Sequence, residues 1–231
     1  MPRKKREWYP GAQYHIMCRG NHRAEIYRDD EDRQVYLTLL EEARKKYSIA
    51  LISYCLMNNH VHLQVETLDS SPGLFMKMLN MKYAIFFNKK YNFVGHLFQG
   101  RYRSELIETG ARSLQTSKYI HLNPVKANLV EKPEQYEWSS YQDYLSRIPQ
   151  SFFEGNSSLI TAKGSIKLNL ALDLILKYFK DKSATLYKEY VEYDLHLYTN
   201  QPGSSDQAKT DRAGSDHNSA ADNLSSSGGG S

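Results

Sequence analysis

The chain has 231 residues, 40% of them hydrophobic, and a formal net charge of +4, which fits one sizeable folded domain with or without an appended piece. Cys18 and Cys55 lack paired spacing, so neither a disulfide framework nor a zinc ribbon is indicated. The basic start Met1–Arg6 precedes Glu7 and Trp8, which argues against a secretory signal, and no apolar run approaches the roughly 18 residues of a membrane span. We expect a cytoplasmic protein without a membrane partner.

Positive charge is concentrated in the body of the chain. After Thr199, four Asp outnumber Lys209 and Arg212 by two, so residues 1–199 carry a net charge of +6. A basic body favours polyanionic partners because binding releases counterions. A mild positive excess is also common among soluble proteins, so charge alone does not decide the partner.

The first part of the chain predicts a strand, a helix and two further strands. Residues 1–10 form a basic arm, and residues 13–18 alternate like a strand. Asp29 and Asp30 can cap a helix whose apolar residues are spaced by threes and fours. That apolar face consists of Val35, Leu39, Leu40, Ala43 and Tyr47.

The next two predicted strands cover residues 48–56 and 60–66. Only the turn at 57–59 joins them, so they should be antiparallel neighbours.

The middle of the chain predicts a helix, a strand and another helix. Ser71-Pro72 opens a helix that runs to about Tyr91, followed by a strand over 97–108 and a helix over 111–122 that Pro124 ends or bends. The inward face of the first of these helices is predicted to be Leu74, Met78, Met81, Ile85 and Phe86. The element order best fits an α+β fold, a four-stranded antiparallel sheet with helices on one face.

The C-terminal part predicts an extension and a tail. Residues 133–148 should wrap back onto the core, which sets the bounds of the main domain at 11–148, followed by a helical extension at 149–199. The extension contains two amphipathic stretches, formed by Leu168, Leu172, Ile175, Leu176 and Phe179, then by Leu186, Tyr190 and Leu197. Residues 200–231 are rich in Ser, Gly, Asp and Ala, so a disordered tail is expected, and its Gly- and Ser-rich end resembles a linker.

His60-Val61-His62 is the first candidate for chemistry. Side chains i and i+2 of a strand share a face about 6–7 Å apart, so both imidazoles can meet one divalent cation. His-X-His also occurs by chance on many half-exposed strands, so the pair by itself is only suggestive.

Tyr119 and Asn123 are the second candidate. They lie one helical turn apart on the same face, where Asn123 could supply an oxygen to the same cation and Tyr119 a nearby hydroxyl. The alternative is a packed tyrosine and an asparagine that stops the helix before Pro124.

Two Gly-containing basic segments, residues 19–23 and 95–103, are candidate nucleic-acid contacts, because free backbone and cations together can approach phosphates closely. Either segment could instead be a solvated loop. Together with the N-terminal arm, the predicted DNA-binding residues are Arg3, Lys4, Lys5, Arg6, Arg19, Asn21, Arg23, His96, Gln99, Arg101 and Arg103.

Four stretches together resemble one family. Residues 54–63, 95–102, 119–127 and 138–141 are similar, in that order, to the His-hydrophobic-His (HUH) single-strand transposases with one catalytic tyrosine. The REP-associated tyrosine transposase group is the subgroup that they resemble most. The resemblance covers roughly residues 7–145 and leaves the C-terminal part uncovered.

The resemblance implies a ferredoxin-like or RRM-like core and a metal-dependent enzyme. It implies that Tyr119 is the nucleophile and that His60 and His62 hold Mg²⁺ or Mn²⁺. Asn123 matches the position of a third, amide ligand, although some branches have Gln there. Single-stranded or hairpin DNA would be cut and joined through a 5′-phosphotyrosine.

Several alternatives stay open from the sequence. A replication-initiator or relaxase nuclease uses the same pair and tyrosine, although its surrounding motifs differ. A non-catalytic RRM-like binding protein would need exposed aromatics where His60 and His62 stand. A domesticated protein that no longer moves DNA is a third reading, and in a homodimer Tyr119 would act in its own subunit or in the neighbouring one.

Overall fold

The structure is a computed structural model that describes residues 8–148, 168–193 and 195. The basic residues of the predicted arm, Leu197, the predicted tail and the first part of the predicted extension lie outside these residues. The helices are α1 Asp30–Lys46, α2 Pro72–Tyr91, α3 Gly110–Lys126, α4 Tyr141–Leu145, α5 Asp173–Leu176 and α6 Ala184–Glu192.

Four antiparallel strands form one sheet in the order β2-β3-β1-β4. The strands are β1 Gln13–Arg19, β2 Ile49–Met57, β3 His60–Thr67 and β4 Arg103–Ile107. A two-residue turn joins β2 and β3. The two strands pair along their full length, from Ile49 opposite Thr67 to Met57 opposite His60. The predicted α+β fold with a four-stranded antiparallel sheet is confirmed.

Alternation along the strands gives the sheet one apolar and one polar face. The apolar face consists of Tyr14, Ile16, Cys18, Val61, Leu63 and Val65, all buried. It lies under α2, where Asn80 Nδ2 donates to Cys18 Sγ over 3.2 Å, and α1 packs beside α2. The polar face carries Gln64, whose Nε2 donates to Ser113 Oγ of α3 over 2.9 Å. Thus α3 lies on the opposite face from α2, so the prediction that the helices share one face of the sheet is wrong for α3.

Helix α1 begins where the acidic residues predicted it. Asp29 is the N-cap, and its side chain accepts a hydrogen bond from the Asp32 backbone over 2.9 Å. The Asp32 carboxylate in turn accepts from the Asp29 backbone, which completes a capping box. On the predicted apolar face, Leu40 and Ala43 are buried and the others, Val35, Leu39 and Tyr47, are partly buried. The buried side of the helix also includes Tyr36 and Leu37.

The predicted inward face of α2 is wrong at three positions. Leu74, Met81 and Ile85 are 51%, 52% and 62% exposed. The buried stripe is instead Phe75, Met76, Met78, Leu79, Tyr83 and Phe87, with Phe86 partly buried. Apolar residues surround most of this helix, so their spacing supports more than one stripe and does not select the buried one.

Two further element boundaries differ from the predictions. β4 begins at Arg103 rather than at residue 97, because the chain turns at Gly100 (φ 142°), in the left-handed region where Gly is tolerated. α3 continues through Pro124 to Lys126. Pro124 removes only the N–H that would reach one earlier carbonyl, and the Ala127 N–H still bonds to the Asn123 carbonyl over 3.0 Å.

The described C-terminal segment packs against α3 and forms a second apolar cluster. This cluster contains Ile52, Leu122, Tyr141, Tyr144, Ile148, Leu172, Ile175, Leu176, Ala184, Tyr187 and Val191. The predicted amphipathic stretches are only partly confirmed. In the second stretch Leu186 is 39% exposed, and the helix of the first stretch is limited to α5.

A chain of buried hydrogen bonds ties α6 to α3. The Tyr187 hydroxyl lies 2.6 Å from Ser117 Oγ and 2.7 Å from His121 Nδ1. On its other side, His121 Nε2 lies 2.8 Å from Ser140 Oγ. The helix that carries Tyr119 is therefore held by a polar network as well as by apolar packing.

Replacing the buried hydroxyl should destabilise the fold. We expect Tyr187→Phe to lower the free energy of unfolding by about 1–3 kcal/mol, since Ser117 and His121 lose a buried partner. Urea denaturation measures this loss. Tyr193→Phe is the control because Tyr193 is 78% exposed, and equal stability of the two variants would contradict the role of the network.

Candidate active site

Two histidines at the start of β3 lie together on the polar face of the sheet. The ring centroids of His60 and His62 are 4.9 Å apart, with an angle of 82° between the rings. Val61, between them, is buried on the other face. His62 is 1% exposed and His60 is partly buried. The pair is therefore placed as the alternation along a strand requires.

A third histidine, which the sequence reading missed, supports the pair. His15 Nε2 lies 2.9 Å from His62 Nδ1, and the two rings are stacked with centroids 5.2 Å apart. β1 pairs with β3 with Met17 opposite His62, so His15 shares the face of His62. Period-two alternation on β1 could have indicated this, but only with the strand pairing known.

The hydrogen bonds of the rings leave one nitrogen of each histidine of the pair for a ligand. His60 Nδ1 lies 2.6 Å from Asn59 Oδ1, an acceptor, so this ring nitrogen donates. When His62 carries its proton on Nδ1, this nitrogen donates to His15 Nε2 in the same way. His62 Nε2 is buried and has no hydrogen-bond partner among the described residues. Both Nε2 lone pairs then remain for a metal.

Burial keeps these imidazoles neutral. Desolvation lowers the pKa of His62 well below its usual range, with repulsion from His60 as a smaller cause. Desolvation, followed by the nearby Arg19 charge, lowers the pKa of His60 to about 4. The pKa of His15 is also lowered, mainly by desolvation. The neutral imidazole is the form that binds metals.

Tyr119 of α3 stands over the histidines of the same chain. Its ring centroid is 5.6 Å from that of His62 and 5.8 Å from that of His15, edge-on in both cases. Tyr119 is 40% exposed, and Lys126 Nζ lies 4.8 Å from its ring centroid. An accessible phenol thus meets the histidine face beside a cation.

Asn123 lies one turn after Tyr119 on α3 and is 9% exposed. Its Nδ2 donates to the Tyr119 carbonyl over 2.9 Å, which orients the amide without using its oxygen.

The donor set fits a cation that accepts mixed nitrogen and oxygen ligands. In the part of the chain that the structure describes, no group of three His, Cys, Asp or Glu is arranged to hold a metal. A cation at His60 and His62 therefore needs an oxygen ligand of another kind, such as an amide.

The two predicted basic segments are adjacent in space. The Asn21 N–H donates to the Leu97 carbonyl over 2.8 Å, and the Gln99 N–H donates to the Arg19 carbonyl over 2.9 Å. Arg19 pairs with His60 across the sheet, and its Nε is buried without a hydrogen-bond partner among the described residues.

The remaining predicted contacts lie at the surface around this junction. Among these predicted contact residues, Asn21 is partly exposed. The exposed residues are Arg23, His96, Gln99, Arg101 and Arg103. The arm residues Arg3, Lys4, Lys5 and Arg6 lie outside the described part of the chain.

Acidification should destabilise the protein through its buried histidines. Desolvation lowers the pKa of His121 to about 3, below the 6.5 of an unfolded histidine. The unfolded chain then binds more protons, so stability is lost as pH falls from about 6.5 towards 3. We expect His121→Gln to flatten this slope by up to about 1.4 kcal/mol per pH unit, measured by urea denaturation with a chelator present. An unchanged slope between pH 6 and 5 would contradict a neutral buried His121.

The fold and the site define a protein in which a histidine pair on a sheet faces a tyrosine on a helix. The family described as IS200-like transposases matches residues 9–123. The chain belongs to this family, so its function is that of a transposase and DNA is its partner.

The fold is similar to that of a solved structure. A REP-associated tyrosine transposase bound to a REP hairpin has 15% identity and a TM-score of 0.54, over 73% of this chain and 94% of that chain. This similarity shows a shared fold. A putative transposase from Deinococcus radiodurans has 20% identity and a TM-score of 0.37, over 51% of this chain and 95% of that chain. No curated protein matches the sequence.

Across the described residues, none of the helices combines the length and the apolar character needed to cross a membrane.

Proposed function

We propose that this transposase cuts and rejoins single-stranded DNA through a covalent bond between Tyr119 and a 5′-phosphate. The observation that carries the proposal is the exposed Tyr119 phenol, with its ring 5.6 Å from that of His62 in the same chain. This arrangement supports attack in cis, so a homodimer is not needed to complete the site.

The reaction conserves the energy of the phosphodiester. The Tyr119 oxygen attacks phosphorus and loses its proton, while the bond to O3′ breaks and that oxygen leaves as a free 3′-hydroxyl. The other fragment stays on the protein through its 5′-phosphate. A second 3′-hydroxyl reverses the step on new DNA, so no nucleotide triphosphate is required.

His60 and His62 would hold Mg²⁺ or Mn²⁺, with the Asn123 oxygen as third ligand. Such a cation neutralises charge that develops on the phosphate oxygens. His15 fixes the orientation of the His62 ring through the 2.9 Å contact. Lys126, above the Tyr119 ring, adds positive charge beside the phenol that the phosphate would meet.

Cations around the site suit the DNA backbone. Arg19 lies at the end of β1 beside His60, and Arg103 begins the adjacent β4. A single strand, or the foot of a hairpin, exposes the reacting phosphate and its neighbours, whereas a duplex hides them. The hairpin in the related solved structure supports this choice.

Residues 11–148 would form the catalytic domain and residues 149–199 an extension, of which α6 supports α3 through Tyr187. The alternatives are a replication-initiator or relaxase nuclease and a non-catalytic RRM-like binding protein. Histidines in place of stacking aromatics on the central strands disfavour the latter.

Covalent adducts on a denaturing gel test the proposal. The wild-type protein is incubated with Mg²⁺ or Mn²⁺ and a panel of single-stranded and hairpin oligonucleotides that carry a label at either end. We expect a 3′-end label to migrate with the protein and a 5′-end label to appear on a shorter, released strand. A 5′-end label on the protein with a 3′-end label on the released strand, or no adduct with any substrate, would contradict the proposal.

A further inference from the structure

A second surface feature lies at the edge of the sheet, away from the polar face that carries the histidines. A groove of about 860 Å³ runs between α2 and residues 95–102. Met81 and Ile85 of α2 line it, although both are more than half exposed, and Phe98 lines it from the other side. These apolar surfaces give a flat base something to pack against.

Amide side chains face the same groove. Asn80 Nδ2 donates to Cys18 Sγ over 3.2 Å, and Asn88 Nδ2 donates to the Gly95 carbonyl over 3.3 Å. The Oδ1 atoms of both residues are buried and lack a hydrogen-bond partner among the described residues. The two amides therefore line the groove without offering these oxygens to a ligand.

The charge of the groove suits a phosphate backbone. Lys77, His96 and Arg101 are among the residues that line it, and no described lining residue is an Asp or a Glu. A groove with cations, amides and apolar surface, and without carboxylates, is complementary to a nucleotide.

The groove is connected to the active site by a short stretch of sheet. Gln99, which lines the groove, bonds through its backbone to Arg19, and Arg19 pairs with His60. Two strand spacings of about 4.8 Å separate these backbones, so Gln99 and His60 are roughly 10 Å apart across the sheet. A DNA strand whose phosphate meets the histidines can therefore extend round the edge of the sheet into the groove.

We propose that this groove binds an unpaired base of the DNA strand that is cut. The base packs against Met81, Ile85 and Phe98, and Lys77 and Arg101 contact the adjoining phosphates. The inference rests on the proposed single-strand substrate. It accounts for Met81 and Ile85, two of the three apolar side chains that α2 leaves more than half exposed.

Matched substitutions on α2 test the groove. Binding of labelled single-stranded oligonucleotides is measured in the Tyr119→Phe background, so no chemistry is required. We expect Ile85→Glu to weaken binding about tenfold, which corresponds to about 1.4 kcal/mol. Leu74→Glu is the control, since it adds the same charge to the same helix at an exposed position that does not line the groove. Equal effects of the two variants would overturn the proposal.

Loss of single bases identifies the occupant. Each base of the oligonucleotide is replaced in turn by an abasic site. At one position, the abasic site should weaken binding about tenfold when the protein has Ile85, but it should hardly change binding to the Ile85→Glu variant. Additive effects at every position would overturn the proposal. Thermal destabilisation of Ile85→Glu in the absence of DNA, together with unchanged DNA binding, would also overturn the proposal, because the groove would then hold something other than DNA. Failure here, with wild-type adducts still formed, would leave the proposed function intact.

Discussion

Tyr119→Phe is expected to abolish the covalent DNA adduct while leaving DNA affinity nearly unchanged. The substitution removes the attacking oxygen but keeps the ring that packs beside His62 and His15. We expect adduct formation to fall by at least about a thousandfold, as for other essential nucleophiles. Denaturing gels measure the adduct, and fluorescence anisotropy measures affinity.

Tyr178→Phe is the matched control for this variant. Tyr178 is 42% exposed, close to the 40% of Tyr119, and it lies outside the histidine site. It should form adduct at the wild-type rate. Adduct at wild-type levels in Tyr119→Phe would remove Tyr119 from the mechanism, and loss in both variants would point to a general effect of removing exposed phenols.

His60→Ala is expected to remove metal-dependent cleavage. His60 is partly exposed, so its loss should disturb packing less than loss of the fully buried His62. With one imidazole gone, we expect Mn²⁺ affinity to fall by at least about a hundredfold, more than loss of a supporting partner costs. Cleavage of a labelled oligonucleotide over a Mn²⁺ titration measures the activity, and calorimetry without DNA measures metal binding directly.

Two further variants make this experiment specific. His22→Asn should behave as the wild type, because His22 is exposed and Asn tolerates its positive φ of 51°. His15→Phe keeps a ring beside His62 but removes the 2.9 Å contact, so it should need about 10–100-fold more Mn²⁺ without losing the maximal rate. Undiminished cleavage and Mn²⁺ binding in His60→Ala would remove this histidine from the metal site.

Local spacing predicted those parts of the site that lie on a single element. His60 and His62 share a face because alternation on a strand requires it, and Tyr119 and Asn123 because one helical turn separates them. Neither rule needs the fold. The helix start at Asp29 was predictable for the same reason, since a cap and its partner are three residues apart.

Features that depend on which elements meet could not be read in this way. His15 joins the site only through the pairing of β1 with β3, which residue spacing along β1 does not reveal. The buried stripe of α2 depends on what covers each side of a helix that is apolar almost all round. Hence Met81 and Ile85 were predicted to be core, although they line a surface groove.

The hydrogen bonds that join Ser117 and His121 to Tyr187 have a consequence for the boundaries of the working enzyme. The family match ends at residue 123, yet α3, which carries Tyr119, is held by hydrogen bonds to Tyr187, more than sixty positions later. A shortened protein that keeps every family motif but stops before α6 would retain Tyr119 and the histidines. It would lose the hydrogen bonds from α6 that hold α3 in place. We therefore expect the smallest active unit to be longer than the stretch that the family model matches.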